Sequence, residues 1–337
     1  MPEKTVKERL MERERHTLSP YAFLTERTRG REHPCTPCDT RTEFQRDRDR
    51  IIHSQSFRRL MYKTQVFLAP AGDHYRTRLT HTLEVTQIAR TVARALFLNE
   101  DLTEAIALGH DLGHTPFGHA GETVMRRMFD PDFSHNIQGV RVVEKLENNG
   151  HGLNLTFEVR DGIACHSGNR QPVTLEGAVI RLADRIAYIN HDIDDALRAG
   201  ILRQDEIPSE LREILGETHG ARINTMVESV IRASVDQPII QMEPHVWEAT
   251  DALRDFLFAR VYRDSAAKVE EVKAKDMLAQ LFAYFAENPD KLPIDYLEII
   301  SKESVERAVC DYLSGMTDRY AIELYRDIFI PEVWRVK

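Results

Sequence analysis

Ala107-Leu108-Gly109-His110-Asp111-Leu112-Gly113-His114-Thr115-Pro116-Phe117-Gly118-His119-Ala120-Gly121-Glu122 is the stretch on which the reading of the chain turns. It packs three histidines, an aspartate, a glutamate and four glycines among apolar residues. Asp101 is read as the N-cap of a helix, with Glu104 completing a capping-box-like pair three residues on. That helix is expected to run from Leu102 through His110 and Asp111, and Thr115-Pro116 to end it nearby, because the residue before a proline disfavours the α conformation. A second helix then begins near Gly118, where His119 and Glu122 share one face. Adjacent residues on a helix point about 100° apart, so His110 and Asp111 reach one ion only if it sits beside the helix, between them. Gly109 and Gly113 leave room for another backbone or a ligand. A single histidine on a buried helix is ordinarily a hydrogen-bonded core residue. This cluster reads otherwise, because buried charged groups need partners or a metal.

Outward from that stretch, the 337-residue chain is 42% hydrophobic and 29% charged, a globular composition with no run long enough to span a bilayer, so no membrane partner is expected. The formal net charge of −9 argues against a general nucleic-acid coat, and any anion site must be local. Met1 to Arg15 has no apolar run, so no secretory signal is read there. Four cysteines are too few for a disulfide scaffold in so long a chain, and a cytoplasmic location is expected.

Three regions are expected: an N-terminal arm at 1–34, a catalytic core at 35–220 and a C-terminal helical region at 221–337. Cys35-Thr36-Pro37-Cys38 lacks the further ligands of a zinc site and reads as unpaired thiols. Arg41, Arg46, Arg48, Arg50, Arg58, Arg59 and Lys63 form either a solvated helix laced with i,i+4 pairs or an anion-facing surface. Repulsion between Arg46 and Arg50 on one face leans toward the second. Thr64-Gln65-Val66-Phe67, the turn Pro70-Ala71-Gly72-Asp73 and His74-Tyr75-Arg76-Thr77 read as a short β-hairpin.

Helical periodicity follows. Leu83, Ile88, Val92 and Leu96 form an apolar stripe with His81 near its start. Asp130-Pro131-Asp132 breaks the helix after Met128. Ser134-His135-Asn136 caps a helix over 137–146, and another is expected over 155–164. Ser167 lacks nucleophile-elbow spacing, which rules out a serine hydrolase there. On a long helix over 175–197, Asp184, Tyr188, His191 and Asp192 share one stripe opposite Ile180, Leu182, Ile186 and Ile189. Such a stripe faces either solvent or a site.

One ion could collect His81, His110, Asp111 and Asp184. This mixed nitrogen and oxygen set suits Mn, Mg, Fe, Ni or Zn rather than a thiolate-bound structural zinc. Octahedral geometry would leave two positions open for water and a substrate oxygen.

The order His81, His110-Asp111, Asp184 resembles the HD-domain metal-dependent phosphohydrolases. Within them the chain is similar to the bacterial deoxyguanosine triphosphate triphosphohydrolases, which release a deoxynucleoside and intact triphosphate. The resemblance is carried by Ser56-Phe57-Arg58-Arg59-Leu60, Lys63-Thr64-Gln65-Val66, Arg78-Leu79-Thr80-His81, the run His110–Glu122, Asp184-Arg185 with Tyr188 and Asp192, and Asp311–Tyr320. It implies an all-α HD fold, and metal ligation by His81, His110, Asp111 and Asp184. It makes His119 and Glu122 a catalytic pair beside the α-phosphate, with His135 a further active-site histidine. Gln65, Arg78, His114 and Arg185 match groups that hold sugar or phosphate oxygens. Tyr188 matches a ring packed under the deoxyribose, and Asp192 a partner of the 3′-hydroxyl. A dNTP substrate, an activating nucleotide and a homo-oligomer are implied in the same way. The rival readings are another HD phosphohydrolase, and a non-catalytic nucleotide or single-stranded nucleic-acid sensor supported by the arginine-rich 41–63 segment.

Overall fold

The computed structural model describes residues 4–65, 76–262 and 267–331. Its main helices are α1 (Val6–Thr17), α2 (Glu43–Ile52), α3 (Arg78–Ala95), α4 (Glu100–Gly109), α5 (His119–Met128), α6 (His135–Arg141), α7 (Phe157–Cys165), α8 (Leu175–Arg198), α9 (His219–Ser234), α10 (Pro244–Leu257), α11 (Ala267–Glu287), α12 (Ile294–Lys302), α13 (Val305–Ser314) and α14 (Asp318–Phe329). Among the described residues the only β pairing is isolated, at Arg31–Thr156 and Thr64–Thr77. The fold is all-α as expected. The body of the expected hairpin, 66–75, lies outside the described residues.

Local chemistry places most helix starts. The Thr77 hydroxyl accepts the Thr80 amide in a capping box that starts α3, and Thr174 accepts the Gly177 amide to start α8. The start of α4 differs from expectation. Asn99, not Asp101, is its cap, accepting the Leu102 amide at 3.2 Å. Glu176 accepts the Asn99 amide at 2.9 Å and pins Asn99 at the helix entry, while Asp101 sits in the first turn and accepts from Gln45. The helix ends at Gly109. His110 keeps helical dihedrals as its C-cap, and Asp111 lies in the following turn.

α3 packs against α4 and α8, α4 also meets α2 and α7, and α6 lies on α7. Their apolar faces form one core that runs from Ala22 to Val261 and includes Ile88, Ile106, Ile163, Ile180 and Ile186. Each such side chain contributes about 1.5–3 kcal/mol on burial. A second core joins Phe117, Val124, Met125 and Phe133 to α11, α13 and α14. The described residues of the C-terminal region are therefore shared: α9 and α10 complete the first core, and α11, α13 and α14 build the second.

The turn after α4 touches α6 backbone to backbone. A Cβ on Gly113 would lie 2.1 Å from the Gly139 nitrogen and 2.2 Å from the His135 carbonyl oxygen. Gly113→Ala must push the two elements apart. It is expected to cost about 3 kcal/mol or more, read as a lower urea midpoint with an unchanged slope.

Candidate metal and catalytic site

Three helices converge on one buried point. His81 comes from the first turn of α3, His110 and Asp111 from the end of α4, and Asp184 from the middle of α8. His81 Nε2 donates to Asp184 Oδ1 at 3.1 Å, and His110 Nε2 lies 3.3 Å from Asp111 Oδ1 and 3.9 Å from Asp184 Oδ1. The ligand atoms of His81, His110 and Asp184 all lie within 4.8 Å of one another.

The donor chemistry fits a cation. His110 Nδ1 lies 2.6 Å from the Ala107 carbonyl oxygen, which can only accept, so Nδ1 carries the proton. Nε2 then points a lone pair at two carboxylates, and it has no hydrogen-bond partner. A positive ion between them satisfies all three groups. His81 and Asp184 share a proton, and such a pair can share a cation instead, releasing the proton on binding. Burial alone would raise the Asp184 carboxyl. The His81 hydrogen bond and the imidazoles outweigh it and hold it at about 2.

A second group lies beside the first. Asp111 Oδ1 is 3.1 Å from His114 Nε2, and the His114 ring stacks on His135 with centroids 3.9 Å apart. Asp111, His114 and His135 also have metal-capable spacing. Asp111 thus groups with His114 and His135 rather than with His81, His110 and Asp184, although its Oδ1 lies 3.3 Å from His110 Nε2, and Arg78 donates to its Oδ2 at 3.0 Å. Glu122 is the hub behind the histidines. Its Oε1 accepts the His135 amide at 3.1 Å and Arg126 at 3.0 Å, with His135 Nδ1 at 3.3 Å; its Oε2 faces His119 Nδ1 at 3.4 Å. Burial would raise this carboxyl, but the His119 and His135 hydrogen bonds hold it far below the usual carboxylate range. His119 itself has a side chain 79% exposed.

His166 joins the group unforeseen. It caps the end of α7, where its Nδ1 lies 2.7 Å from the Ile163 carbonyl and its Nε2 3.1 Å from His135 Nε2. Its Nε2 is thus the acceptor, and the two ring nitrogens of His135 face Glu122 and His166. The only sequence signal for His166 is a histidine at the end of an apolar helix, one turn past Ile163.

The expected substrate groups divide. Arg78 lies against Gly118, where an added Cβ would be 2.9 Å from its Nη2 and 3.7 Å from the Gln65 carbonyl oxygen. Gln65 Oε1 is buried without a hydrogen-bond partner. The stripe on α8 turns inward rather than to solvent, with His191 and Asp192 buried. Burial pushes the Asp192 carboxyl up to about 8 and the Tyr188 phenol to about 12. Arg185 is turned onto α10, ion-paired with Asp251 and stacked 4.2 Å over Trp247.

The arginine-rich segment corrects the anion-surface reading. Arg41 pairs with Asp49, Arg46 donates to the Thr36 carbonyl and Arg48 to Glu104. Arg50 donates to the carbonyls of Leu153 and Asn154, Arg58 to that of His53 and Arg59 to that of Gly315. These cations are engaged by carbonyls and carboxylates of the chain itself, so the segment lends no support to a nucleic-acid partner. Cys35 and Cys38 are free thiols, and among the described residues no metal-capable group contains a cysteine. No helix of the described residues is long and apolar enough to cross a membrane.

A cradle of histidine, a His-Asp pair and a distant aspartate on three packed helices defines an HD domain, and the HD-domain family model matches residues 78–189. The phosphohydrolase-associated domain model matches residues 240–327. A deoxyguanosinetriphosphate triphosphohydrolase-like protein of Caldanaerobacter subterraneus subsp. tengcongensis is 57% identical over 98% of this chain and 97% of its own. Similarly named proteins of Desulfatibacillum aliphaticivorans and Clostridium tetani are 50% and 45% identical, over 97% and 98% of this chain and 99% and 97% of their own. The chain belongs to the deoxyguanosinetriphosphate triphosphohydrolase-like family of HD-domain proteins.

Proposed function

We propose that this protein is a metal-dependent deoxynucleoside triphosphate triphosphohydrolase, converting dGTP or another dNTP and water to a deoxynucleoside and triphosphate. The observation that carries the reading is the His110 Nε2 lone pair facing two carboxylates beside a carboxylate-backed array of histidines. His81, His110, Asp111 and Asp184 would hold a divalent ion, which supplies Lewis-acid polarisation of a phosphoryl oxygen and acidifies water.

The remaining steps belong to the chain's own residues. Arg78 and His114 stand beside the cradle to bind phosphoryl oxygens. Water attacks the α-phosphorus, the bond from phosphorus to the 5′-oxygen breaks, and a histidine held by Glu122 gives that oxygen its proton. Tyr188 supports the deoxyribose. Asp192, its carboxyl raised by burial, meets the 3′-hydroxyl as donor or acceptor. Arg185 reaches a phosphate only by leaving Asp251. The reading includes an activating nucleotide, a cytoplasmic setting and a homo-oligomer assembled through the 221–337 region.

The test is a product assay with pairwise dNTP mixtures and Mn²⁺, Mg²⁺, Fe²⁺, Ni²⁺ or Zn²⁺. Deoxynucleoside and inorganic triphosphate in equal amounts are expected. Orthophosphate or a linear dinucleotide would point to another HD phosphohydrolase. Nucleotide binding with no product from any mixture would make it a sensor.

A further inference from the structure

The run Asp311–Tyr320 has no part in the chemistry above, yet it is where the C-terminal helices grip the site. Asp318, the first residue of α14, is buried. Its two carboxylate oxygens accept from amides far apart in the chain. The Thr64 amide donates to Oδ2 at 2.8 Å and the Phe117 amide to Oδ1 at 2.9 Å. Thr64 precedes Gln65, and Phe117 stands two residues before His119. Beside it the buried Lys63 ammonium donates to the carbonyls of His114 at 2.5 Å and Ser314 at 2.9 Å. Four segments meet at this knot: 63–65, 114–118, 314 and 318.

The turn it holds is strained. Phe117 has φ +60°, a region unfavourable for L side chains, and Gly118 follows at φ +55°. Gly118 is the N-cap residue of α5 and offers no side-chain cap, so the entry to the helix that carries His119 and Glu122 is held from outside. Two groups do this: the Asp318 carboxylate on the Phe117 amide, and the second core around the buried Phe117 ring. The same C-terminal run also grips α6. Asp311, wholly buried, accepts from Gln138 at 2.9 Å and pairs with Arg141 at 2.6 Å on the helix that begins with His135.

We infer that Asp318 is a positioning residue whose carboxylate ties the Gln65 segment to the Phe117 turn, and thereby sets the substrate-binding and proton-transfer groups against the metal cradle. The inference rests on the phosphohydrolase reading for its effect on turnover, but not for its effect on structure. None of His81, His110, Asp111 and Asp184 is bonded by Asp318, so the two functions separate.

Asp318→Asn tests it in the full-length protein. An asparagine has one acceptor oxygen, and its NH₂ must face an N–H, so one of the two amides loses its partner. Hydrogen exchange at Thr64 or Phe117 is expected to speed at least about tenfold. Mn²⁺ affinity by calorimetry should stay within about twofold, since the ligands come from other helices. The kcat for dNTP hydrolysis should fall about tenfold to a hundredfold, the cost of roughly 1 Å of misplacement. Unchanged exchange at both amides would overturn the inference. So would faster exchange with full kcat, or exchange that rises throughout the chain together with loss of Mn²⁺, which is a merely structural role. Should Asp318→Asn fail to fold, Asp318→Glu, which keeps both acceptors on a longer arm, is read by the same three measurements. If the parent protein hydrolyses no nucleotide, the function fails, while exchange and Mn²⁺ affinity still decide whether the clamp exists.

Discussion

Asp184→Ala is expected to lose at least about a thousandfold in turnover, which is about 4 kcal/mol of transition-state stabilisation. Asp184 reaches both imidazoles of the cradle, at 3.1 Å from His81 and 3.9 Å from His110. The other cradle carboxylate, Asp111, is already engaged by Arg78. Without Asp184, two imidazoles and a half-neutralised carboxylate must offset a divalent charge, so Mn²⁺ affinity should fall at least about tenfold. Asp184 lies on the inward stripe of α8, whose core contacts come from other residues such as Ile180, Ile186 and Ile189. The helix content by circular dichroism should therefore be unchanged. Parental turnover with parental Mn²⁺ binding in this variant would remove the cradle from the mechanism.

His119→Ala should behave in the opposite way toward the metal. Its ring is exposed and contacts Glu122 rather than the cradle, so Mn²⁺ binding is expected to match the parent. Turnover should fall about a hundredfold to ten-thousandfold, the usual worth of a positioned general acid. Glu122→Gln complements it. Glu122 is ionised at every working pH, because its histidine hydrogen bonds outweigh burial. Its negative charge holds both imidazoles by hydrogen bonds. Glu122→Gln keeps the shape but removes that charge, and kcat is expected to fall about a hundredfold while Mn²⁺ binding stays at the parental level. Parental kcat in this variant would sink the histidine acid. Full activity in His119→Ala would hand the role to His135, whose Nδ1 faces Glu122 and whose Nε2 faces His166.

Signals that act within one or two helical turns were legible in the amino-acid sequence. The helical periodicity of α8, the buried stripe Ile88, Val92 and Leu96 of α3 and the pairing of His119 with Glu122 depend on residues at most four apart. Leu83, read into the α3 stripe, is instead exposed, and α4 ends at Gly109, before Pro116 can act on it. Of the four residues read as one ligand set, His81, His110 and Asp184 are brought together by the fold, whereas Asp111 falls in the neighbouring group with His114 and His135. Tertiary structure decided what such local rules leave open. Asn99 rather than Asp101 caps α4 because Glu176, from another helix, binds the Asn99 amide. Arg50 and Arg59 became struts because their acceptors, the carbonyls of Leu153, Asn154 and Gly315, arrive from far along the chain. The polar stripe of α8 faces a site rather than water because α3, α4 and α7 cover it. His166 and Asp318 entered the site by the same route. A side chain's local pattern says which interactions it needs. Only the folded chain settles which distant group meets that need and whether water still reaches it, and the cost of an unmet buried charge makes that choice binding.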